Sequence, residues 1–152
     1  MSFNNLSNIL LRNLNNHILQ ISLSPNEIAY LKIIINERPT IFIKILSNIN
    51  KIIYDNTIYL QDIPQIILVL SDIYKSNIIE EILPGVDLIN IIEYTINSIV
   101  DSKLFYLQED LDIVKLLVDS SIELLRIKIL IIEKEEKEEK KEEEVKYCCF
   151  LI

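Results

Sequence analysis

The stretch SPNEIAYLKIII, at residues 24–35, decides the fold class of this chain. Ser24, Pro25 and Glu27 form the pattern of a helix N-terminus, with a serine N-cap, a proline at the first helical position and a capping-box glutamate three residues after the serine. The apolar residues that follow at helical spacing predict a buried stripe of Ile28, Leu31 and Ile35. A helix is therefore predicted to begin at Pro25.

The same spacing of apolar residues recurs along the chain, and it breaks where residues that end helices occur. In the helix expected near residues 87–100, the residues Asn90, Glu93 and Asn97 form a predicted polar face. The sequence predicts an all-α fold, a compact bundle of five or six helices within residues 1–132. The expected helices span about residues 6–20, 25–38, 40–54, 62–74, 87–100 and 109–132, with a short helical turn at 77–83.

The last helix is predicted to be the longest and to carry a seam for self-association. Its apolar residues recur at spacings of three and four over nearly three heptads, which is typical of a coiled coil. This seam is expected to face either the core of the domain or a second copy of the chain. The residues proposed for the seam are Val118, Ile122, Leu125, Ile129 and Ile132.

An alternative reading of the apolar stretches is β-structure. Isoleucine is a strong strand former and accounts for 33 of the 152 residues, so residues 40–46 and 126–132 can also be written as strands. Helices are favoured because capping residues are present and because Gly85 is the only glycine, whereas hairpin turns usually require glycine. The abundance of isoleucine and asparagine is itself typical of AT-rich genomes, such as those of large DNA viruses and some protists.

Composition and charge restrict the expected partners. The chain has a formal net charge of -8 and only three arginines, so it lacks a basic stripe for phosphates and nucleic acid is not an expected partner. No uncharged apolar run approaches the roughly 18 residues of a transmembrane helix. Residues 1–14 show neither a basic leader nor a cleavage site for secretion. The protein is therefore expected to be intracellular and cytoplasmic.

No catalytic, cofactor-binding or metal-binding residue is predicted. His17 is the only histidine and the two cysteines are adjacent, which leaves no set of zinc ligands. A chain with one glycine also lacks a phosphate-binding loop. The acidic residues Glu109, Asp110 and Asp112 lack the glycine of a calcium loop and are interpreted as the first turn of the last helix.

Residues 133–146 are strongly charged, with eight Glu and five Lys. Glu133 lies four residues before Lys137, and Glu136 lies four before Lys140, a spacing that supports a helix. Two alternatives follow: a charged helical rod that extends the last helix, or a disordered tail.

Residues 147–152 form an apolar terminus that contains both cysteines. Cys149 is fourth from the end and precedes two apolar residues, so residues 149–152 resemble the CaaX box of prenylated proteins such as the Ras-like and Rho-like small GTPases. This resemblance implies prenylation of Cys149, and Cys148 is the candidate for a second, acyl anchor. It implies nothing about nucleotide binding, because the chain has no P-loop. A sticky apolar end and an exposed, unmodified thiol pair are the alternatives, since the acidic residues 142–144 are repelled by anionic lipid.

These features together predict a non-enzymatic helical module that binds a protein partner or self-associates. The lipid anchor is its only expected link to a membrane, at the cytoplasmic face. The alternative is a structural assembly protein, for example a minor virion or capsid component, whose apolar helices pack against neighbouring subunits.

Overall fold

The structure is a computed structural model that describes residues 5–16, 23–77 and 85–150. Side chains are described at all of these positions except residues 5 and 147–150. Within these ranges the chain forms six α-helices and one short pair of strands, so the predicted all-α fold class is confirmed. The elements are α1 (Asn5–Asn16), α2 (Pro25–Glu37), α3 (Thr40–Ile52), β1 (Thr57–Ile58), α4 (Ile63–Ser76), α5 (Leu88–Asp101), β2 (Tyr106–Leu107) and α6 (Leu111–Phe150).

The contacts within the chain define two units, Met1–Ile122 and Glu123–Ile152. The boundary lies inside α6, so the first turns of this helix belong to the first unit and the rest belongs to the second. The apolar pattern of the sequence predicts a later boundary, after residue 132, because that pattern continues to Ile132.

The N-terminus of α2 has the predicted capping box. The Ser24 Oγ accepts the Glu27 backbone N–H at 3.2 Å, and the Glu27 Oε1 accepts the Ser24 backbone N–H at 3.0 Å. Two N–H groups that would otherwise lack a partner at the helix start are thereby satisfied. Leu31 and Ile35 of the predicted stripe are buried, and Ile28 is half-buried.

The core of the first unit is built around α5, which packs against α1, α2 and α4. Because α5 has neighbours on several sides, its predicted polar face is not open to solvent along its whole length. Asn97 is wrongly placed there, since it is only 6% exposed and its Nδ2 donates to the Glu93 carbonyl at 2.9 Å. Asn90 and Glu93 are half-buried, and the Asn90 Nδ2 donates to the carboxylate of Glu27 at 3.2 and 3.3 Å.

The two strands were not predicted, because two residues are too few to show a period. They pair in parallel, with Thr57 opposite Tyr106 and Ile58 opposite Leu107. The strand alternatives at residues 40–46 and 126–132 are wrong, since both stretches are helical, in α3 and α6.

The connection between α3 and α4 contains several residues in turn conformations. After α3, Asp55 and Asn56 adopt left-handed φ values of 53° and 56°, which these residue types tolerate. Asp62 does not cap α4 through its side chain; it ends a 3₁₀ turn, Leu60–Asp62, and its Oδ2 accepts the Tyr59 N–H at 2.9 Å. Most of the turn predicted at 77–83 and the predicted end of the first helix at 17–20 lie outside the described residues.

Candidate protein-interaction surface

Glu27 is the most buried charged side chain among the described residues, with an exposed fraction of 2%. Besides capping α2, its Oε2 accepts the backbone N–H of Asp87 at 3.1 Å, immediately before α5. Asp87 in turn caps α5, because its Oδ1 accepts the Ile89 N–H at 2.9 Å. The carboxylate of Glu27 therefore joins the N-termini of α2 and α5, which is a structural role.

Two buried tyrosines form hydrogen bonds between helices. The Thr95 hydroxyl donates to the Ile91 carbonyl at 2.8 Å, so the Tyr74 hydroxyl, 2.8 Å from Thr95, must be the donor in that pair. The Tyr94 hydroxyl donates to the Leu10 carbonyl at 2.9 Å and ties α5 to α1. Burial raises the pKa of Tyr74 and raises the pKa of Tyr94 to about 12, so both remain neutral donors near pH 7.

The acidic residues predicted for the first turn of the last helix are divided by the start of α6 at Leu111. Only Asp112 lies in the first turn, whereas Glu109 and Asp110 precede the helix, and all three are exposed. Among the residues that the structure describes, no three His, Cys, Asp or Glu side chains lie close enough together to hold a metal ion. His17 lies outside the described residues.

An open cavity of about 310 Å³ lies beside α1 in the first unit. It is lined by Asn8, Ile9, Arg12 and Leu104. This lining provides one cation, one amide and two apolar side chains, without the paired acid and base that proton-transfer catalysis requires.

The predicted seam of α6 is divided between buried and exposed residues. Val118 and Ile122, in the first unit, are buried within the single chain, and Leu125 is also buried. Ile129 is half-buried and Ile132 is exposed. Self-association through this seam stays a prediction. Only Ile129 and Ile132 have exposed apolar surface that a second copy could contact.

A larger apolar surface lies in the second unit of the chain. We call it the apolar collar; its side chains are between 43% and 68% exposed. Successive helical residues are rotated by about 100°, so these side chains, with Leu125 and Ile129, surround the helix on all sides. The apolar collar consists of Leu124, Ile127, Leu130, Ile131 and Ile132.

The sequence contained the signal for this surface. Leu124, Ile127 and Ile131 repeat at spacings of three and four, parallel to the predicted seam but on the opposite side of the helix. The predicted seam accounts for only three of the seven apolar residues between 124 and 132. A helix that is apolar all round is normally buried, so the exposed collar is the feature of the described residues that most needs a partner.

After the collar, residues 133–146 continue as part of α6 and are all exposed. The sequence left open whether this segment is a helical rod or a disordered tail, and in the structure it is helical. The side chains of Cys148 and Cys149 lie outside the described residues, and so do residues 151–152, so lipidation stays a prediction.

Comparisons with models of known protein families, with curated proteins and with solved structures found no match to this chain. Among the described residues, no helix is both long enough and apolar enough to cross a membrane.

Proposed function

We propose that this protein is a non-enzymatic interaction module that binds a protein through the apolar collar of α6. The observation that carries the proposal is the exposure of five large aliphatic side chains on consecutive turns of one helix. Covering such a side chain contributes roughly 1.5–3 kcal/mol relative to leaving it in water. An exposed apolar patch on this scale is typical of a protein-binding site.

The chemistry of the collar indicates the kind of protein surface that fits it. Its members are Leu and Ile, without aromatic groups, and they lie along a helix. Such rows of aliphatic side chains interdigitate best with the same type of row on another helix. The partner surface is therefore an apolar helical one, which holds both for a separate partner protein and for the structural alternative, an assembly of identical subunits.

A photo-crosslinking amino acid placed at Leu124 tests the proposal in cells that make the full chain. Leu124 is in the collar, so its cross-linker should form one defined protein adduct, which mass spectrometry identifies. The matched control is the same cross-linker at Leu68, an exposed leucine of α4 outside the collar, where no defined adduct is expected.

The double substitution Ile127→Asn and Ile131→Asn is the second part of this test. It makes the collar polar and both positions lie in the second unit, so the adduct at Leu124 should disappear while the first unit remains folded. Absence of any adduct at Leu124 in the parent protein, or an adduct that survives the double substitution, would contradict the proposal.

A further inference from the structure

The open cavity beside α1 combines a positively charged side chain with an apolar wall. Asn8 and Arg12 are four residues apart on α1, so they are neighbours on one face of this helix. The described lining is completed by Ile9 of the same helix and by Leu104, which lies between α5 and β2. All four residues belong to the first unit, and none of them is part of the apolar collar.

Arg12 gives this cavity its charge. It is exposed, and it forms no ion pair with any residue that the structure describes. The adjoining loops contain one charge of each sign. Lys103 is adjacent to Leu104 in the chain, and Asp55 is adjacent to Asn56, whose Nδ2 donates to the Leu104 carbonyl at 3.5 Å. These two opposite charges offset each other, and the helix α1 contains no acidic residue, so the cavity attracts an anion.

Both polar side chains of the lining can donate to an anionic group. The planar guanidinium of Arg12 can donate two parallel N–H bonds to one carboxylate, and charge-assisted bonds of this kind are about twice as strong as neutral ones. The side-chain amide of Asn8 can donate a further N–H. A carboxylate placed between these two side chains therefore has a donor for each of its oxygens, whereas a cation would be repelled by Arg12.

The apolar part of the lining indicates the rest of the ligand. Ile9 and Leu104 are half-buried, so each keeps apolar surface in contact with water. An aliphatic chain attached to the carboxylate would cover that surface, which is favourable because apolar area leaves water. The cavity volume of about 310 Å³ is at the lower end of the range of roughly 300–1,000 Å³ that is usual for small-molecule sites. The ligand must therefore be small.

We propose that this cavity binds a small aliphatic monocarboxylate, with its carboxylate at Arg12 and Asn8 and its chain between Ile9 and Leu104. A single negative charge matches the single cation of the lining. A phosphate group with two negative charges would be held less well, because the protein already has a formal net charge of -8. This ligand-binding function is additional to the proposed function and does not depend on it.

Hexanoate is the probe for the first experiment. It is titrated into the full-length protein, and the NMR chemical shifts of the backbone amides are followed. Binding should saturate in the millimolar range, with the largest shifts at residues 8–12 and 104. Two matched probes separate the charge from the chain, since 1-hexanol keeps the chain without the charge and acetate keeps the charge without the chain. Each should bind at least about tenfold more weakly than hexanoate.

Substitutions of Arg12 test the role of the guanidinium. Arg12→Gln should weaken hexanoate binding at least about tenfold, because the cation is lost, while the circular dichroism spectrum stays that of the parent protein. Arg12→Lys keeps the charge but not the planar fork and should bind with intermediate affinity. The matched control is Arg38→Gln, at an exposed arginine after α2 that is not in the described lining, and it should bind like the parent protein.

Absence of saturable shifts at residues 8–12 and 104 with millimolar hexanoate would overturn the inference. Equal weakening by Arg12→Gln and Arg38→Gln would contradict it, and so would equal binding of hexanoate and 1-hexanol. Shifts confined to residues 124–132 would assign the aliphatic chain to the apolar collar instead, which also overturns it. The collar variant with Ile127→Asn and Ile131→Asn should bind hexanoate normally, so failure of this inference is distinguishable from failure of the proposed function.

Discussion

Glu27 shows how one side chain can hold the ends of two helices. Its carboxylate accepts backbone N–H groups from Ser24 and Asp87 and the side-chain amide of Asn90. Each of these donors would cost free energy if it were buried without an acceptor. The acidic residue in the capping box of α2 therefore also fixes the position of α5, which lies 60 residues later in the sequence.

Glu27→Ala should lower the free energy of unfolding by about 2 kcal/mol, because several donors lose their acceptor at once. Urea denaturation followed by circular dichroism measures this change. Glu37→Ala, at the exposed end of the same helix, is the control and should change stability by less than about 0.5 kcal/mol. Equal effects of the two substitutions would show that the network around Glu27 contributes nothing specific.

The buried Tyr94 side chain should make the free energy of unfolding depend on pH in the alkaline range. Burial raises its pKa from 10.0 to about 12 in the folded protein. The unfolded chain therefore releases this proton first as the pH rises, and the stabilisation present below pH 10 is lost between about pH 10 and 12. The free energy of unfolding should fall with pH over this interval.

Removing the Tyr94 hydroxyl tests whether this group causes the fall in the free energy of unfolding with pH. Tyr94→Phe should lower stability near pH 7 by about 1 kcal/mol, because the bond to the Leu10 carbonyl is lost. It should also make the alkaline decline shallower than in the parent protein. Tyr54→Phe, at an exposed tyrosine, serves as the control, and a slope that changes equally in both variants would contradict the assignment.

At the scale of the helices, prediction from sequence succeeded where the signal is local. The start of α2 follows from Ser24 and Glu27, which contact each other within one turn. The environment of α5 could not be predicted, because the burial of Asn97 depends on packing between helices that are distant in the chain. The apolar collar could not be predicted from one seam alone, because α6 carries a second apolar row at Leu124, Ile127 and Ile131 on the opposite side of the helix.

The two sides of α6 in the first unit should differ sharply in their contribution to stability. Val118→Ala should cost about 2 kcal/mol, because Val118 is fully buried and its loss leaves a cavity. Leu116→Ala, two residues earlier, should change the free energy of unfolding by less than about 0.5 kcal/mol, since Leu116 is 69% exposed. Thermal and urea unfolding of both variants measure the difference, and equal losses would mean that the helix is not oriented as described.

At the scale of the whole molecule, we expect folding and the proposed association to use different residues. The first unit buries its own apolar side chains around α5, including Val114, Val118 and Ile122 of α6. The second unit keeps the apolar collar exposed and follows it with fourteen exposed residues. Substitutions in the first unit should therefore change the free energy of unfolding, whereas substitutions in the collar should change the affinity for the proposed protein partner.

A chain that ends at residue 132 separates these two properties. It keeps the first unit and the apolar collar but loses residues 133–146, which are exposed along their whole length. Its free energy of unfolding in dilute solution should stay within about 0.5 kcal/mol of the full-length value, because exposed residues contribute little to stability. The adduct formed by a cross-linker at Leu124 should persist, because the apolar collar is retained. Urea denaturation and cross-linking measure the two quantities. A large loss of stability would show that the charged segment supports the fold, and loss of the adduct would show that the charged segment takes part in binding.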